Sequence, residues 1–455
     1  MVKHTFRGGV HPQGHKELSR DAALREYLPK GEVVFPLSQH IGKPARPLVQ
    51  KGDAVRVGQR IAELDGYVSA NVICSCSGVV KAIEKRRVLT GGMMDCIVVD
   101  NDGQFTPIEG MGERQDINAV TVEDILRRVR NGGIVGLGGA GFPTHVKLSP
   151  REPGAIRHVI ANGAECEPYL SCNDRLMREK ADEIVEGLEV MLKLFPNAEG
   201  VIAIEENKPE AIEAMTKASS GHSKLRVLPL KTKYPQGGER SLIQVVAGVD
   251  YPAAMLQVAI LPADVGCVVE NVGTIYAIQQ AVLYKIPLFE HVFTLSGEAV
   301  ANPGNYIVRD GTSFAELLEA AGGVKEGVEP KKALAGGPMM GIAMASLDVP
   351  IQKQNNGLTL LAEDPNEAAE AQMTACLRCG RCTTVCPMGL MPQMLVDAAT
   401  AGDLRRYEVK LHGMECIQCG SCTYICPAKR PLMQILKRTK AEITARRRAE
   451  GDGKK

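Results

Sequence analysis

Tryptophan is absent from this chain of 455 residues, and phenylalanine and tyrosine supply an aromatic share of only 4%. That shortage excludes little, because 44% hydrophobic and 24% charged residues are ordinary for soluble globular protein. An excess of one charge is missing too. Against 54 lysines and arginines stand 53 acidic residues, a formal net charge of +1, so no global field points to nucleic acid. There is no run of the roughly 18 apolar residues that would cross a bilayer. The nearest approaches, 251–269 and 333–347, are broken by Pro252, Pro262 and Asp264, or by Gly336, Gly337 and Pro338. The start, Met1-Val2-Lys3-His4-Thr5-Phe6, lacks the apolar core of a signal peptide. The expectation is a cytoplasmic chain without a spanning segment, built from roughly three domains.

What is concentrated is cysteine. Cys376-x2-Cys379-x2-Cys382-x3-Cys386-Pro387 is followed by Cys416-x2-Cys419-x2-Cys422-x3-Cys426-Pro427, while the rest of the 14 cysteines show no paired framework. Each run has the bacterial-ferredoxin spacing, in which three close thiolates hold one [4Fe–4S] cluster and the fourth ligates the other. The expected assignment is therefore crossed. Cys376, Cys379, Cys382 and Cys426 hold one cluster; Cys416, Cys419, Cys422 and Cys386 hold the second. Gly380 and Gly420 follow the second cysteine of each run, where unusual dihedrals are expected, and Pro387 and Pro427 end each turn. Zinc ligands usually come as two separated pairs, which a repeated four-cysteine run fits poorly. Disulfides are disfavoured by the unpaired cysteines and by the reducing compartment that thiolate ligands imply. Such a segment moves single electrons.

Residues 1–30 read as an irregular polar surface arm, with His4, His11 and His15 as surface residues rather than metal ligands. Short strands and glycine turns fill 33–100. Within them, Gly52-Asp53-x-Val55-x2-Gly58-Gln59 and Ser77-Gly78-Val79-Val80 suggest the halves of a lipoyl- or biotinyl-type barrel. The tip Asp65-Gly66-Tyr67 has no lysine to modify, so the barrel is read as structural. Cys74 and Cys76 fall on one face of a strand, as small core residues. Residues 121–130 predict a helix with Val122, Ile125, Leu126 and Val129 on one face, ended by Asn131-Gly132-Gly133. Then comes Gly136-Leu137-Gly138-Gly139-Ala140-Gly141-Phe142-Pro143-Thr144-His145-Val146-Lys147. Such a run brings backbone N–H groups to a phosphate, with a helix start adding its dipole, although alone it also suits a tight turn.

Strands at 158–162, 200–204 and 225–230 alternate with helices at 180–194 and 209–219. That order predicts a parallel α/β sheet with ligands at its carboxyl edge. Polar loops are expected at 162–168, 234–239 and 270–274. Residues 293–345 return to short strands plus a helix at 313–321, as in a small β-grasp domain, with Met339, Met340 and Met344 as core or contact residues. An acidic helical lead at 364–372 precedes the cysteines, and helices at 391–401 and 404–411 separate the two runs. The basic end, 437–455, reads as a solvated helix, or as a docking element for an acidic partner or membrane surface. Cys166 and Cys172 read as packed thiols.

Taken together, these motifs resemble one family, the RnfC subunits of the Rnf electron-transport complex, relatives of the NADH-binding flavin subunit of respiratory complex I. The resemblance rests on Thr5-Phe6-Arg7-Gly8-Gly9-Val10-His11-Pro12, Pro36-Leu37-Ser38-Gln39-His40-Ile41-Gly42, the GxGGAGFP loop, Gly336-Gly337-Pro338-Met339-Met340-Gly341 and both cysteine runs. It implies an N-terminal barrel-sandwich domain (31–112) after an arm (1–30), and a Rossmann-like FMN/NADH-binding α/β domain (113–275). A β-grasp, SLBB-like domain (276–355), a mainly α-helical dicluster ferredoxin domain (365–436) and a basic tail (437–455) complete it. Non-covalent FMN with NADH on its ring is implied at Gly136, Gly138, Gly139, Gly141, Phe142 and Lys147. The complex I segments NADESEP, YICGEE and NNVET add Asn162, Glu165, Glu167, Tyr234, Gly237, Glu239, Asn271 and Thr274. In that flavin subunit the positions of Leu137, Ala164 and Gly238 carry arginine, aspartate and glutamate.

The resemblance further implies a peripheral subunit on the cytoplasmic face of an ion-translocating ferredoxin:NAD+ oxidoreductase, with an iron–sulfur partner subunit and integral membrane subunits. A flavin exchanges hydride with NAD(H) and single electrons with two [4Fe–4S] clusters, so no side chain need act as acid or base. Two other readings stay open: a soluble RnfC-like cobalamin reductase, and an electron-relay scaffold without flavin.

Overall fold

The computed structural model describes residues 4–249 and 261–452. The expected start at Met1–Lys3 and the first part of the 251–269 apolar run lie outside them. Among the described residues, no helix is long and apolar enough to cross a membrane.

The arm expected to be irregular contains β1 (Leu24–Tyr27), which runs parallel to a strand some 280 positions later. Nothing local in Leu-Arg-Glu-Tyr announces it; the pairing partner decides. Nor is the arm merely a surface element, since Phe6 and Val10 are 4% and 3% exposed. The barrel follows as β2 (Glu32–Pro36), β3 (Arg46–Pro47), β4 (Ala54–Val55), β5 (Arg60–Glu63), β6 (Val72–Ile73), β7 (Gly78–Arg87) and β8 (Met93–Asn101). Sheets β2-β8-β7-β4 and β3-β5-β6 enclose one core, in which Cys74 and Cys76 are buried.

Helix α1 (Val122–Asn131) starts in a capping box made by Thr121 and Asp124 and buries Ile125 and Val129. One helical turn, α2 (Thr144–Lys147), follows the glycine loop. The central layer is β9 (His158–Gly163), α3 (Cys172–Glu179), α4 (Ala181–Leu194), β10 (Glu199–Glu205), α5 (Pro209–Ala218), β11 (Leu225–Leu230), α6 (Glu239–Ala247), β12 (Cys267–Asn271) and α7 (Val272–Leu283). Its strands, in the order β11-β10-β9-β12, are all parallel. Near-continuous apolar runs such as Val-Ile-Ala in β9 and Val-Ile-Ala-Ile in β10 suit strands covered on both faces. Residues 270–274, expected as a polar loop, are instead the end of β12 and the first turn of α7. Asn271 itself is the N-cap, its side chain accepting from Gly273 N–H. Helix α7 also runs across residue 275, so the chain has no break there.

A six-stranded mixed sheet comes next, β1-β14-β13-β17-β15-β16, from β13 (Glu290–Ser296), β14 (Gly304–Arg309), β15 (Lys332–Ala335), β16 (Ile342–Ala343) and β17 (Gly357–Leu361). Helix α8 (Phe314–Ala320), capped by Ser313, packs Phe314 and Leu317 into its core. The cluster domain is helical: α9 (Pro365–Glu370), α10 (Arg381–Thr384), α11 (Pro392–Thr400), a π-helical turn at Arg406–Lys410, α12 (Ser421–Tyr424) and α13 (Leu432–Asp452). The basic end starts inside the cluster domain, while Arg446 and Arg447 farther along are exposed. It continues α13, which buries Leu436 and Ile443 in the cluster domain, and Lys440 Nζ donates to the carbonyls of Met414 and Cys416.

One lysine ties three of these units. Lys353 is 1% exposed, and its ammonium donates to Asn71 O in the barrel (2.9 Å) and Gly133 O before the glycine loop (2.8 Å). Burial pushes its pKa down to about 8. The unfolded chain holds that proton to about pH 10.4, so between these values it binds more protons than the native state and stability rises with pH. Lys353→Met strands two buried carbonyls at about 1–3 kcal/mol each. In urea denaturation, the stability lead of the parent over Lys353→Met is expected to widen from pH 8 to 10; an unchanging gap would contradict this account.

Candidate functional site

In the order β11-β10-β9-β12, the chain leaves β9 toward one side of the sheet and returns as β12 on the other. The carboxyl ends of β9 and β12 therefore form a switch point, where diverging connections leave a crevice. Asn162 and Asn271 are register partners at that edge. Asn162 Nδ2 donates to Gly237 O (2.8 Å), fastening the loop after β11 to the end of β9. Thr274 Oγ1 accepts from Leu137 N–H (2.9 Å), pinning the glycine loop to the first turn of α7.

The glycine loop closes on itself through Gly136 N–H to Phe142 O (2.9 Å). Gly138 and Gly141 sit at φ 67° and 68°, a region that side chains rarely adopt. Around Gly139 an added Cβ would meet nothing within 4 Å. The N–H groups of Gly138, Gly139 and Ala140 donate to no described residue. Helix α2 is a single turn, so its dipole adds little; the cationic contribution comes from Lys147. Its ammonium donates to Glu239 Oε2 (3.0 Å) and Val269 O (2.7 Å). Burial pulls this group down, but the carboxylates of Glu270 and Glu239 outweigh it and hold the pKa above its ordinary value. Glu270 is 2% exposed, and burial pushes it up to about 7 against the pull of Lys147. Its Oε1 has no hydrogen-bond partner.

Three of the expected site residues make hydrogen bonds to other parts of the chain. Glu165 accepts from Asn173 and Asp174 N–H (2.7 and 3.3 Å), capping α3, and lies 3.9 Å from the Lys16 ammonium. Glu167 Oε1 accepts from Met339 and Met340 N–H (2.6 and 3.1 Å), and burial pushes its carboxyl up to about 7. The Tyr234 hydroxyl donates to Cys419 O (2.8 Å) in the second cysteine run. Asn162, Gly237, Asn271 and Thr274 are tied together at the crevice, with Gly138 3.8 Å from Asn271 at its Cβ position and Lys147 paired to Glu239. Gly136 and Phe142 close the glycine loop, and Gly141 backs onto Gln39 and His40 of the barrel. Cys166 accepts from Gly237 N–H (3.3 Å), burial pushing its thiol up to about 12, and Cys172 is fully buried. Sequence reasoning missed Glu270 and Asn356. The latter lies 3.2 Å from where a Gly138 Cβ would be, yet Asn355-Asn356-Gly357 reads locally as an ordinary turn.

The cysteine runs build two cavities. Cys376, Cys379, Cys382 and Cys426 line one; Cys386, Cys416, Cys419 and Cys422 line the other. The backbone repeats between the runs: Arg378 and Gly380 have φ 52° and 73°, Gln418 and Gly420 have 58° and 80°. Burial raises the Cys416 and Cys419 thiols and pushes Cys386 up to about 11, so thiolates here need a cationic partner. Among the described residues, no three His, Cys, Asp or Glu side chains converge on a point where a single metal ion could sit. A cubane instead takes its thiolates from around a cavity, and four sulfurs about each fit it. The crevice likewise fits a flavin phosphate: open loop N–H groups and the Lys147 ammonium lie at its edge.

A nucleotide crevice at a switch point, joined to a dicluster domain, defines a flavin and iron–sulfur electron-transfer protein. Family models match the chain in succession: the RnfC barrel sandwich hybrid domain (4–104), the Nuo51 FMN-binding domain (129–280), an SLBB domain (292–343) and a 4Fe-4S dicluster domain (369–427). The C subunit of the proton-translocating ferredoxin:NAD(+) oxidoreductase complex of Clostridium ljungdahlii is 44% identical, over 98% of this chain and 95% of its own. Its counterpart in the Na(+)-translocating complex of Acetobacterium woodii is 41% identical, over 98% and 99%. That of the ion-translocating oxidoreductase complex of Rhodobacter capsulatus is 40% identical, over 97% and 84%. The chain belongs to this family, the RnfC subunits of ion-translocating oxidoreductase complexes. An NAD+-reducing [NiFe]-hydrogenase chain also matches over 72% of this chain and 66% of its own, at 21% identity and a TM-score of 0.47. The expected four-part architecture, with its FMN and [4Fe–4S] domains, is borne out by the family matches.

Two substitutions test the separation of the sites. Cys376→Ala is expected to halve the iron bound after anaerobic reconstitution while leaving FMN binding intact; loss of flavin would contradict modular sites. Lys147→Met is expected to weaken FMN binding more than tenfold in fluorescence titration with the iron content unchanged.

Proposed function

We propose that this chain is the NAD(H)-reacting subunit of an ion-translocating ferredoxin:NAD+ oxidoreductase, peripheral on the cytoplasmic face of the membrane and passing electrons to an iron–sulfur partner subunit. FMN, when bound, exchanges hydride with NAD(H) and single electrons with iron–sulfur centres. The residues of the chain provide the holding and the placement. The glycine-loop N–H groups and Lys147 take the phosphate, with Glu239 and Glu270 fixing the ammonium. Asn162, Gly237, Asn271 and Thr274 set the walls of the crevice. Phe142, whose carbonyl closes the glycine loop, would stack on the dinucleotide.

One observation carries this reading: the segments that line the crevice run directly into a cluster site. Three residues before Gly237, Tyr234 bonds Cys419 O; five residues after Asn162, Glu167 bonds the Met339 loop. Leu137, Ala164 and Gly238, which replace charged residues of the complex I flavoprotein, leave the crevice walls intact, because Leu137 contributes through its backbone and Ala164 is fully buried.

The test is anaerobic. With iron and FMN restored, NADH is expected to bleach the flavin bands and to raise the EPR signals of reduced clusters. FMN binding without NADH reduction would point to another donor, as in a cobalamin reductase. Failure to bind flavin at all would leave a relay scaffold.

A further inference from the structure

The two cluster sites are built alike but placed differently. The site of Cys386, Cys416, Cys419 and Cys422 is walled by other parts of the chain. Tyr234 is 1% exposed and donates its hydroxyl proton to Cys419 O (2.8 Å), and Cys419 is itself 8% exposed. The backbone of Tyr234 pairs in both directions with Val10 of the N-terminal arm (2.8 and 2.9 Å), and Gly9 N–H continues to Val385 O (2.8 Å). A Cβ added at Gly420 would stand 3.0 Å from Met339 O, so the loop after β15 closes the third side. Arg240, in the first turn of α6, pairs with Glu415 (3.1 Å) just before this cysteine run.

The site of Cys376, Cys379, Cys382 and Cys426 has none of these walls. Every residue from 371 to 379 is exposed, including Cys376 and Cys379, with Met373 at 49% and Leu377 at 64%.

We propose that the sites work in a fixed order: the walled site is the inner relay, joined to the flavin crevice through Tyr234 as a positioning residue, and the open site is the outer one, through which electrons enter and leave the protein. This inference rests on the function proposed above and specifies its route. Each hydride given by NADH carries two electrons and leaves NAD+. The electrons pass singly from inner to outer site and on to a one-electron iron–sulfur acceptor, and one proton is released to solvent when both have gone. In the reverse direction, two electrons and one proton rebuild the hydride. The loop from Tyr234 to Gly237 spans the interval between crevice and inner site. The Tyr234 hydroxyl turns the positive end of a dipole toward Cys419, which favours the reduced, more negative state of a cluster held there.

The test uses the full chain with both clusters restored and reduced by dithionite, so that it does not depend on NADH. Cys419→Ser and Cys379→Ser each perturb one cluster and thereby assign the two EPR signals. Soluble chromium oxalate is then added to the parent protein as a paramagnetic relaxer. The signal assigned by Cys379→Ser is expected to relax several-fold faster, and that assigned by Cys419→Ser to stay unchanged; the opposite pattern, or equal effects, overturns the order. Tyr234→Phe keeps the ring and removes only the hydroxyl. It is expected to shift the inner equilibrium between about twofold and tenfold toward the oxidised form, tenfold being 59 mV for one electron, with the outer potential unmoved. A shift in both potentials or in neither removes Tyr234 from the route. Loss of NADH reduction with the relaxer pattern intact would refute the proposed donor and leave the order of the sites standing.

Discussion

The divergence of the chain at the carboxyl ends of β9 and β12 is the feature on which the rest of this protein depends. A parallel sheet leaves its strand-end N–H and C=O groups to whatever the connecting loops provide, and only where those loops part is there room for a ligand. Here the gap falls between Asn162 and Asn271. The side chains at its edge are occupied with holding backbone: Asn162 holds Gly237 O, Asn271 caps α7, and Thr274 holds the glycine loop. The donors left over are the loop N–H groups and the third N–H of the Lys147 ammonium, whose other two go to Glu239 and Val269 O; such a set suits an anion.

Three largely buried lysines are matched with backbone. Lys16 donates to Glu167 O, Lys208 to Ala164 O, and Lys353 to Asn71 O and Gly133 O. Each of these ammonium groups fixes a carbonyl of a segment flanking the crevice, so the loops are held by deep cations rather than by their own propensity. A buried lysine carries a desolvation cost, which two or three good acceptors offset. The same logic governs the cysteines. Their sulfurs are crowded by apolar neighbours such as Leu395, Leu432 and Leu436, a setting that disfavours thiolate unless a metal cluster supplies the compensating charge.

The dicluster domain is bound to the remainder through the least conspicuous parts of the chain. The N-terminal arm and the loops after β11 and β15 meet around one cysteine site and ignore the other. Two nearly identical sequence repeats thus acquire different surroundings, one walled by other segments and one open. Reduction potential follows solvent exposure and hydrogen bonding, so a difference in function can arise without any difference in the ligands.

Much of this was legible in the residues themselves. The cysteine spacing, the glycine run, the apolar strands of the central sheet and the helix capped by Thr121 are local patterns, and local patterns encode local geometry. Motif identity also pointed to the segments of Asn162, Gly237, Asn271 and Thr274, which meet at the crevice. What it did not show was their direction. Glu165, Glu167 and Tyr234 belong to the same short segments as the crevice residues, yet bond to α3, to the loop after β15 and to Cys419. Strand β1, the docking of the arm, the strand–helix junction at 270–274 and the continuation of α13 into the cluster core were hidden for the same reason. Each depends on a partner distant in sequence, and pairing or burial against such a partner outweighs the weak preference of a short segment for its own conformation. The sequence alone determined the cysteine spacing and the glycine run; the tertiary structure decided which neighbouring side chains meet at the crevice and which cysteine site faces the solvent, because burial belongs to the packed chain and not to any stretch of it.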